Sequence, residues 1–561
     1  MLRRFAPRPG SILRVRLTLL ATALTLLVAA PPACAQADRL PDIGSSAGEL
    51  LNPVKQQLYG AMTKRELRNY GYLLDDPLID DWLDRVGQGL AANSDTPSQP
   101  FTFFMLRDRQ INAFATLGGY IAVNSGLVLT AEREDEVAAV VSHEIAHVTQ
   151  QHVLRAVERA QRDQMPILLG ILGAIVAAQA AGGSSSGDAS QAALISGMGL
   201  MQQRQIDYTR SNESEADRIG IHTLARAGYD PDAMAGFFNR MDQVMRANRG
   251  GERERTPDYL QTHPVTTSRI SEAHERAERI KRENNVVTTV STPTGKVTES
   301  TPREGNYAAG LRSNNPLLPF QVNLPASSLD NGATGLFLWA RERLRVLSAN
   351  TADEAVREYE SIRRSTGELT PPQRYGLALA QMRGTQPAVA ANAFAQLLQE
   401  LPGNLWLELA LAQAQARIGD VAQSRARLQA LLKRTPNSRP VVLSFAQVLN
   451  DQGSKAAGQQ ARQVLQPLLG ASGDDPVFQQ AYARACELAG DSVKAGEAYA
   501  QVAYLNGRPE QALTQLQNLK RDQALDYYAR ARVEARITAI TPEVLELRDA
   551  GVRDPDLDSN R

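Results

Sequence analysis

Apolar positions change their spacing several times along this chain, and each change predicts a different element. Leu17 to Ala30 is an uncharged, mainly apolar stretch of 14 residues behind Arg3, Arg4, Arg8, Arg14 and Arg16. It falls short of the ~20 residues that span a bilayer. From Asp76-Pro77 to Leu90 the apolar residues take helical spacing, which predicts an amphipathic helix. Phe101 to Leu106 is a short aromatic-rich run and predicts a strand. Between Ile111 and Leu127, Asn112-Ala113-Phe114-Ala115 and Tyr120-Ile121-Ala122-Val123 flank Gly118-Gly119, a hairpin signal. Two further helices are expected, one from near Glu132 to about Arg162, the other from Ser211 to Arg226 with Ser211 or Asn212 as its cap.

From about residue 333 onward the pattern is that of helical hairpins. Gly384, Gly419, Gly453 and Gly490 recur at spacings of 35, 34 and 37, and Leu377, Ala412, Ala446 and Ala483 stand seven residues before them. Pro402 and Pro436 are 34 apart. A period near 34 with a small residue in the first helix and a terminal Pro is the tetratricopeptide pattern. The competing reading is an Ala-rich helical bundle. Stacked repeats form a superhelix whose concave face binds peptide or protein segments. Between the halves, residues 285–332 are rich in Thr, Ser, Pro, Asn and Gly without clear periodicity and are expected to be a linker.

Composition narrows the setting. The chain has 61 basic and 61 acidic residues and two cysteines. Residues 1–35 read as a secretory signal ending in Ala33-Cys34-Ala35, an A-x-A cleavage site before Gln36. Lipidation at Cys34 is disfavoured because Pro31 and Pro32 precede it. Without that segment the chain carries 56 basic and 61 acidic residues, a net charge of −5. Nucleic acid is thus not an expected partner. Cys486 is then the one cysteine left, so no intramolecular disulfide can form. Residues 164–203 hold one charged residue, Asp188, in two apolar arms around Gly182-Gly183-Ser184-Ser185-Ser186-Gly187. A buried helical hairpin or lid is one reading; peripheral contact with a membrane or a membrane protein is the other.

The chemistry sits at His143-Glu144-Ile145-Ala146-His147. On a helix, His143 and His147 leave one face and can grip one zinc ion, while Glu144 can take a proton from water at that ion. A catalytic zinc needs a third protein ligand and an open position. Gln150 and Val153 stand where a metzincin would have Gly and His. His152, five residues past His147, points about 140° away on a continuous helix and is set aside. Glu213 and Asp217 share a helix face: Glu213 is the expected third ligand, and Asp217 orients a ligand from behind.

These motifs resemble the zinc metalloproteases of the CAAX-prenyl-protease/HtpX type, gluzincins with H-E-x-x-H followed by E-x-x-A-D. Asn112 to Leu127 is similar to that family's segment before the zinc helix, and Thr262-His263-Pro264 with Arg269-Ile270 resembles its periplasmic, repeat-bearing members. The resemblance implies a mainly α chain: a signal peptide at 1–35, an α+β gluzincin metalloprotease domain with a small sheet at 36–284, the linker, an α-solenoid of repeats at 333–545 and a tail at 546–561. It implies one Zn2+ per chain, held by His143, His147 and Glu213, with Glu144 as base. His263 would be a gate or fourth ligand, or a contact to the substrate oxyanion. Tyr120, Ile121, Ala122 and Val123 are expected to form an exposed edge strand that binds substrate. Misfolded or stalled outer-membrane proteins in the periplasm are the implied substrates, and the outer-membrane assembly machinery the implied partner of the repeats. The alternative is a chaperone-like scaffold with gated or minor proteolysis.

Overall fold

The computed structural model describes residues 52–156, 209–248, 263–292, 295–302, 333–523 and 525–549. The expected signal segment 1–35 and the uncharged segment 164–203 lie outside these residues, as does 303–332 of the expected linker.

The first described helices are α1 (Pro53–Asn69) and α2 (Pro77–Ala91). Asp76 starts α2 by accepting from the backbone amides of Leu78 and Ile79, and Pro77 fits its first turn. The helix buries Trp82, Leu83, Val86 and Leu90, each of which stabilises the domain by about 1.5–3 kcal/mol. Strands β1 (Thr102–Leu106), β2 (Ala113–Ala115) and β3 (Tyr120–Asn124) form one sheet in the order β1-β3-β2. β2 and β3 pair antiparallel across the predicted turn, where Gly118 and Gly119 have φ of 71° and 79°. A side chain at Gly119 would also strike the Pro100 carbonyl.

This topology overturns the expected edge strand. β3 is paired on both sides, parallel to β1 and antiparallel to β2, and Ile121, Ala122 and Val123 are fully buried. β2 is the edge. Thr116 N–H donates to Tyr120 O, and Asn124 N–H to Asn112 O. Even-numbered residues of β2 therefore face β3, and Ala113 and Ala115 turn their backbone outward.

Helix α3 (Ser125–Thr130) leads into α4 (Glu134–Thr149), which carries both histidines of the motif. Glu134, Asp135 and Glu136 occupy its first turn, where negative charge complements the helix dipole. α4 is shorter than the sequence predicts: it stops at Thr149, and a second helical stretch starts at His152. Helix α5 (209–226) begins before the predicted cap, so Ser211 and Asn212 lie inside it. Helices α6 (Asp232–Asn248) and α7 (Thr267–Asn284) complete the domain. Within the segment read as a linker, β4 (Asn285–Thr292) and β5 (Gly295–Pro302) pair as an antiparallel hairpin.

The rest is a helical solenoid: α8 (Phe337–Leu347), α9 (Ala352–Thr366), α10 (Pro371–Arg383), α11 (Pro387–Glu400), α12 (Leu405–Arg417), α13 (Val421–Arg434), α14 (Arg439–Asn450), α15 (Lys455–Leu465), α16 (Pro476–Ala489), α17 (Ser492–Leu505), α18 (Pro509–Lys520) and α19 (Tyr527–Asp549). The repeating glycines fall at the turns inside helix pairs. Gly419, Gly453 and Gly490 have φ of 89°, 66° and 88°, which explains the choice of residue. Ala412, Ala446 and Ala483 are fully buried between helices. Helix α19 continues past residue 545, where the repeats were expected to end.

The solenoid is anchored on the first domain. Arg343 of α8 forks onto Asp76 at 2.7 and 2.6 Å. The amide and hydroxyl of Thr334 both donate to Glu134, the first residue of α4, which also accepts from Trp82 Nε1. Arg439 of α14 reaches Asp80 at 3.0 Å, and Arg65 of α1 pairs with Glu543 of α19. Among the described residues, no helix is long and apolar enough to cross a membrane.

Candidate metal centre

Helices α4 and α5 face each other across the site, and Gly220 permits the approach. A side chain there would come within 3.1 Å of the His143 backbone. His143 Nε2 and His147 Nε2 lie 2.9 Å apart and point at the same space. Glu213 of α5 closes it, 3.4 Å from each imidazole. His263, just before α7, places Nδ1 2.9 and 3.0 Å from the two Glu213 oxygens and 3.4 Å from His143 Nε2. Each of the four offers one atom within 4.8 Å of all the others, and His143, Glu213 and His263 are buried. Sequence reasoning named all four, and the fold brings them together.

Glu144 sits beside the cluster and is almost fully buried. Its Oε1 has no hydrogen-bond partner, with His263 Nε2 3.7 Å away. Burial raises its carboxyl above the usual range, against the opposing pull of His263 and His143. The amide of Ala115, on the outer edge of β2, donates to the same carboxylate. Glu144 and the edge strand β2 are thus adjacent.

The electrostatics divide the two imidazoles. Burial opposes charge on His143, but Asp217 and Glu213 overcome it and push its pKa up to about 10. Burial wins at His147 and brings it down to about 3. Glu213 is held well below the carboxylate range: burial would raise it, but the three histidines outweigh that. Asp217 Oδ1 is 2.9 Å from His143 Nδ1. Arg269 of α7, which the sequence offered only as part of a motif, clamps Asp217 at 2.7 and 2.8 Å and Glu213 at 3.1 Å. Its guanidinium lies over the Phe238 ring. His152 was set aside, yet its Nδ1 is 2.8 Å from His147 Nδ1.

Two imidazoles and a carboxylate converging beside a buried, unpartnered carboxylate oxygen is the arrangement of a metal-dependent hydrolase. Comparison with known proteins agrees. Residues 77–277 match peptidase family M48, and residues 382–447 match the tetratricopeptide repeat. The chain is 30% identical to the β-barrel assembly-enhancing protease of Escherichia coli K12 over 523 residues, which is 92% of this chain and 94% of that one. A putative β-barrel assembly-enhancing protease of Vibrio cholerae is 44% identical over 263 residues, 46% of this chain and 52% of the relative. The mitochondrial metalloendopeptidase OMA1 of Schizosaccharomyces pombe is 28% identical over 206 residues, 36% of this chain and 55% of the relative. The chain belongs to peptidase family M48: it is a metallopeptidase with an appended tetratricopeptide-repeat domain.

Proposed function

We propose that this protein is a zinc-dependent endopeptidase of the periplasm that cleaves unfolded or misassembled outer-membrane β-barrel proteins. Its repeats would hold the substrate or the assembly machinery near the site. The observation that carries the reading is the buried His143–His147–Glu213 cluster with the free Glu144 Oε1 beside it. The donor set suits zinc: two imidazole nitrogens, which give up their protons when an ion binds, and one carboxylate, with Glu144 outside the ligand shell. The substrate class rests on the name of the E. coli relative, which matches along nearly its whole length.

In this reading, His143, His147 and Glu213 hold the ion. Zinc, when bound, supplies Lewis acidity toward the scissile carbonyl and water. Glu144 takes the proton of the attacking water and returns it to the leaving amine, and its raised pKa suits the first half of that task. The corrected edge, β2, takes the role first assigned to Tyr120, Ile121, Ala122 and Val123. The edge of β2 at Ala115, which is partly exposed, would take an extended substrate strand next to Glu144. His263, seated on Glu213 and near Glu144, acts as a gate or fourth ligand, and His263→Ala is then expected to cleave faster.

The repeats offer a groove of 740 Å³ lined by Gln413, Ser444, Gln447, Asn450 and Gln480, with Asp75 and Pro77 of the protease domain on its rim. Leu443, Val477 and Val502 line it too, and a groove with both polar and apolar walls suits an extended protein segment. It also favours a second reading, a chaperone-like scaffold in which proteolysis is minor. Incubating the purified chain with a denatured outer-membrane β-barrel protein and with its folded form tests the substrate class. Cleavage of the denatured form alone supports the proposal, and cleavage of neither form overturns it.

A further inference from the structure

We propose that His152 is a positioning residue for His147, fixed in turn by Glu215, and that the left-handed turn at Gln151 serves to deliver it. This rests on the reading of His147 as a metal ligand.

On a continuous helix His152 would point about 140° away from His147. The structure breaks the helix between them. Gln151 has φ of 54°, the one non-glycine residue with positive φ among the described residues. A glutamine held there costs about 1–2 kcal/mol, and such strain gathers at functional sites. The break turns the chain back, so that the His152 ring meets the His147 ring edge-on with centroids 4.8 Å apart. His152 is buried, and the two Nδ1 atoms are 2.8 Å apart. On its other side, His152 Nε2 is 3.2 Å from Glu215 Oε2, which also accepts from Arg155 at 3.0 Å.

These contacts fix the protons. His147 Nε2 faces His143 and Glu213 and must be bare to bind a cation. Its proton is then on Nδ1, and across 2.8 Å the His152 Nδ1 must accept it. His152 carries its own proton on Nε2 and donates it to Glu215. The chain of contacts holds both tautomers and the plane of the His147 ring. Helix α5 thus supplies an orienting carboxylate to each histidine. Asp217, four residues past Glu213, touches His143 directly. Glu215, two past, faces about 200° away around the helix and cannot reach the metal space. It acts on His147 through the intervening imidazole.

The test uses the full mature chain with Zn2+ in chelator competition and Co2+ for its visible bands. His152→Ala is expected to bind one ion per chain with affinity lowered about 10–100-fold and shifted Co2+ bands. Its metal-free melting temperature is expected to match wild type. His152→Gln should recover most of the affinity, because its amide oxygen can accept from His147 while its nitrogen donates to Glu215. Wild-type affinity and spectrum in His152→Ala would overturn the proposal, as would a loss that glutamine does not recover. If His147→Ala itself binds Zn2+ like wild type, the ligand reading fails first, and the proposal with it.

Discussion

The pair that ties the repeats to the protease domain gives a quantitative test. Asp76 and Arg343 are both more than nine-tenths buried, and the fork between them is bidentate. Asp76 also accepts the Leu78 and Ile79 amides at 3.2 Å, and Arg343 donates to Tyr375 Oη at 2.9 Å. Asp76→Ala removes a helix cap, worth about 1 kcal/mol, and strands a buried guanidinium, which costs about 3–5 kcal/mol. The expected loss is about 4–6 kcal/mol. Arg343→Met leaves Asp76 buried but still held by two amides and the helix dipole, so about 3 kcal/mol is expected. The double variant leaves no buried charge alone and should lose only about 1–2 kcal/mol, mostly the cap. Urea unfolding followed by tryptophan fluorescence reads all four proteins, since Trp82 lies in the protease domain and Trp339 and Trp406 in the solenoid. If the double variant loses the sum of the single losses within about 0.5 kcal/mol, the pair is not coupled and the anchoring argument fails.

Three further expectations follow from local geometry. Gln151→Gly should leave melting temperature and metal affinity near wild type, whereas Gln151→Val, with a branched side chain at positive φ, should lose about 1–2 kcal/mol in thermal unfolding. Gly220→Ala should fold but bind Zn2+ about tenfold more weakly in chelator competition, because its methyl pushes Glu213's helix off the His143 backbone. Cys486 is fully buried and burial raises its thiol pKa, so a chain lacking residues 1–35 should react with a thiol reagent only on unfolding.

Much of this was legible because local chemistry and global fold agree. H-E-x-x-H needs only a helix to align its histidines, and Glu213 follows from the ligand a zinc site still lacks. The glycine period was readable because Gly419, Gly453 and Gly490 each sit in a left-handed turn. Gly118-Gly119 marked the hairpin for the same reason. Which arm of that hairpin lies at the edge was not local: β1 arrives beside β3 from earlier in the chain, places Tyr120 to Val123 inside the sheet and leaves β2 at its edge. His152 was misplaced because the turn before it falls on a glutamine, which gives no sequence signal for positive φ. Val286, Val287 and Val290 are good strand formers inside 285–302, but the Thr, Ser and Pro around them masked the hairpin. Arg269 reaches Asp217 across 52 residues, a contact that no spacing rule announces.

The proposed function stands on hydrolysis by Glu144 at a metal held by His143, His147 and Glu213. Metal analysis with a cleavage assay on wild type and Glu144→Gln tests it most directly. Both proteins should carry one zinc ion per chain, cleavage by wild type should stop on chelation and return with Zn2+, and Glu144→Gln should cleave about 10²–10⁴-fold more slowly. Wild-type cleavage by Glu144→Gln, or undiminished cleavage by the metal-stripped protein, would contradict it.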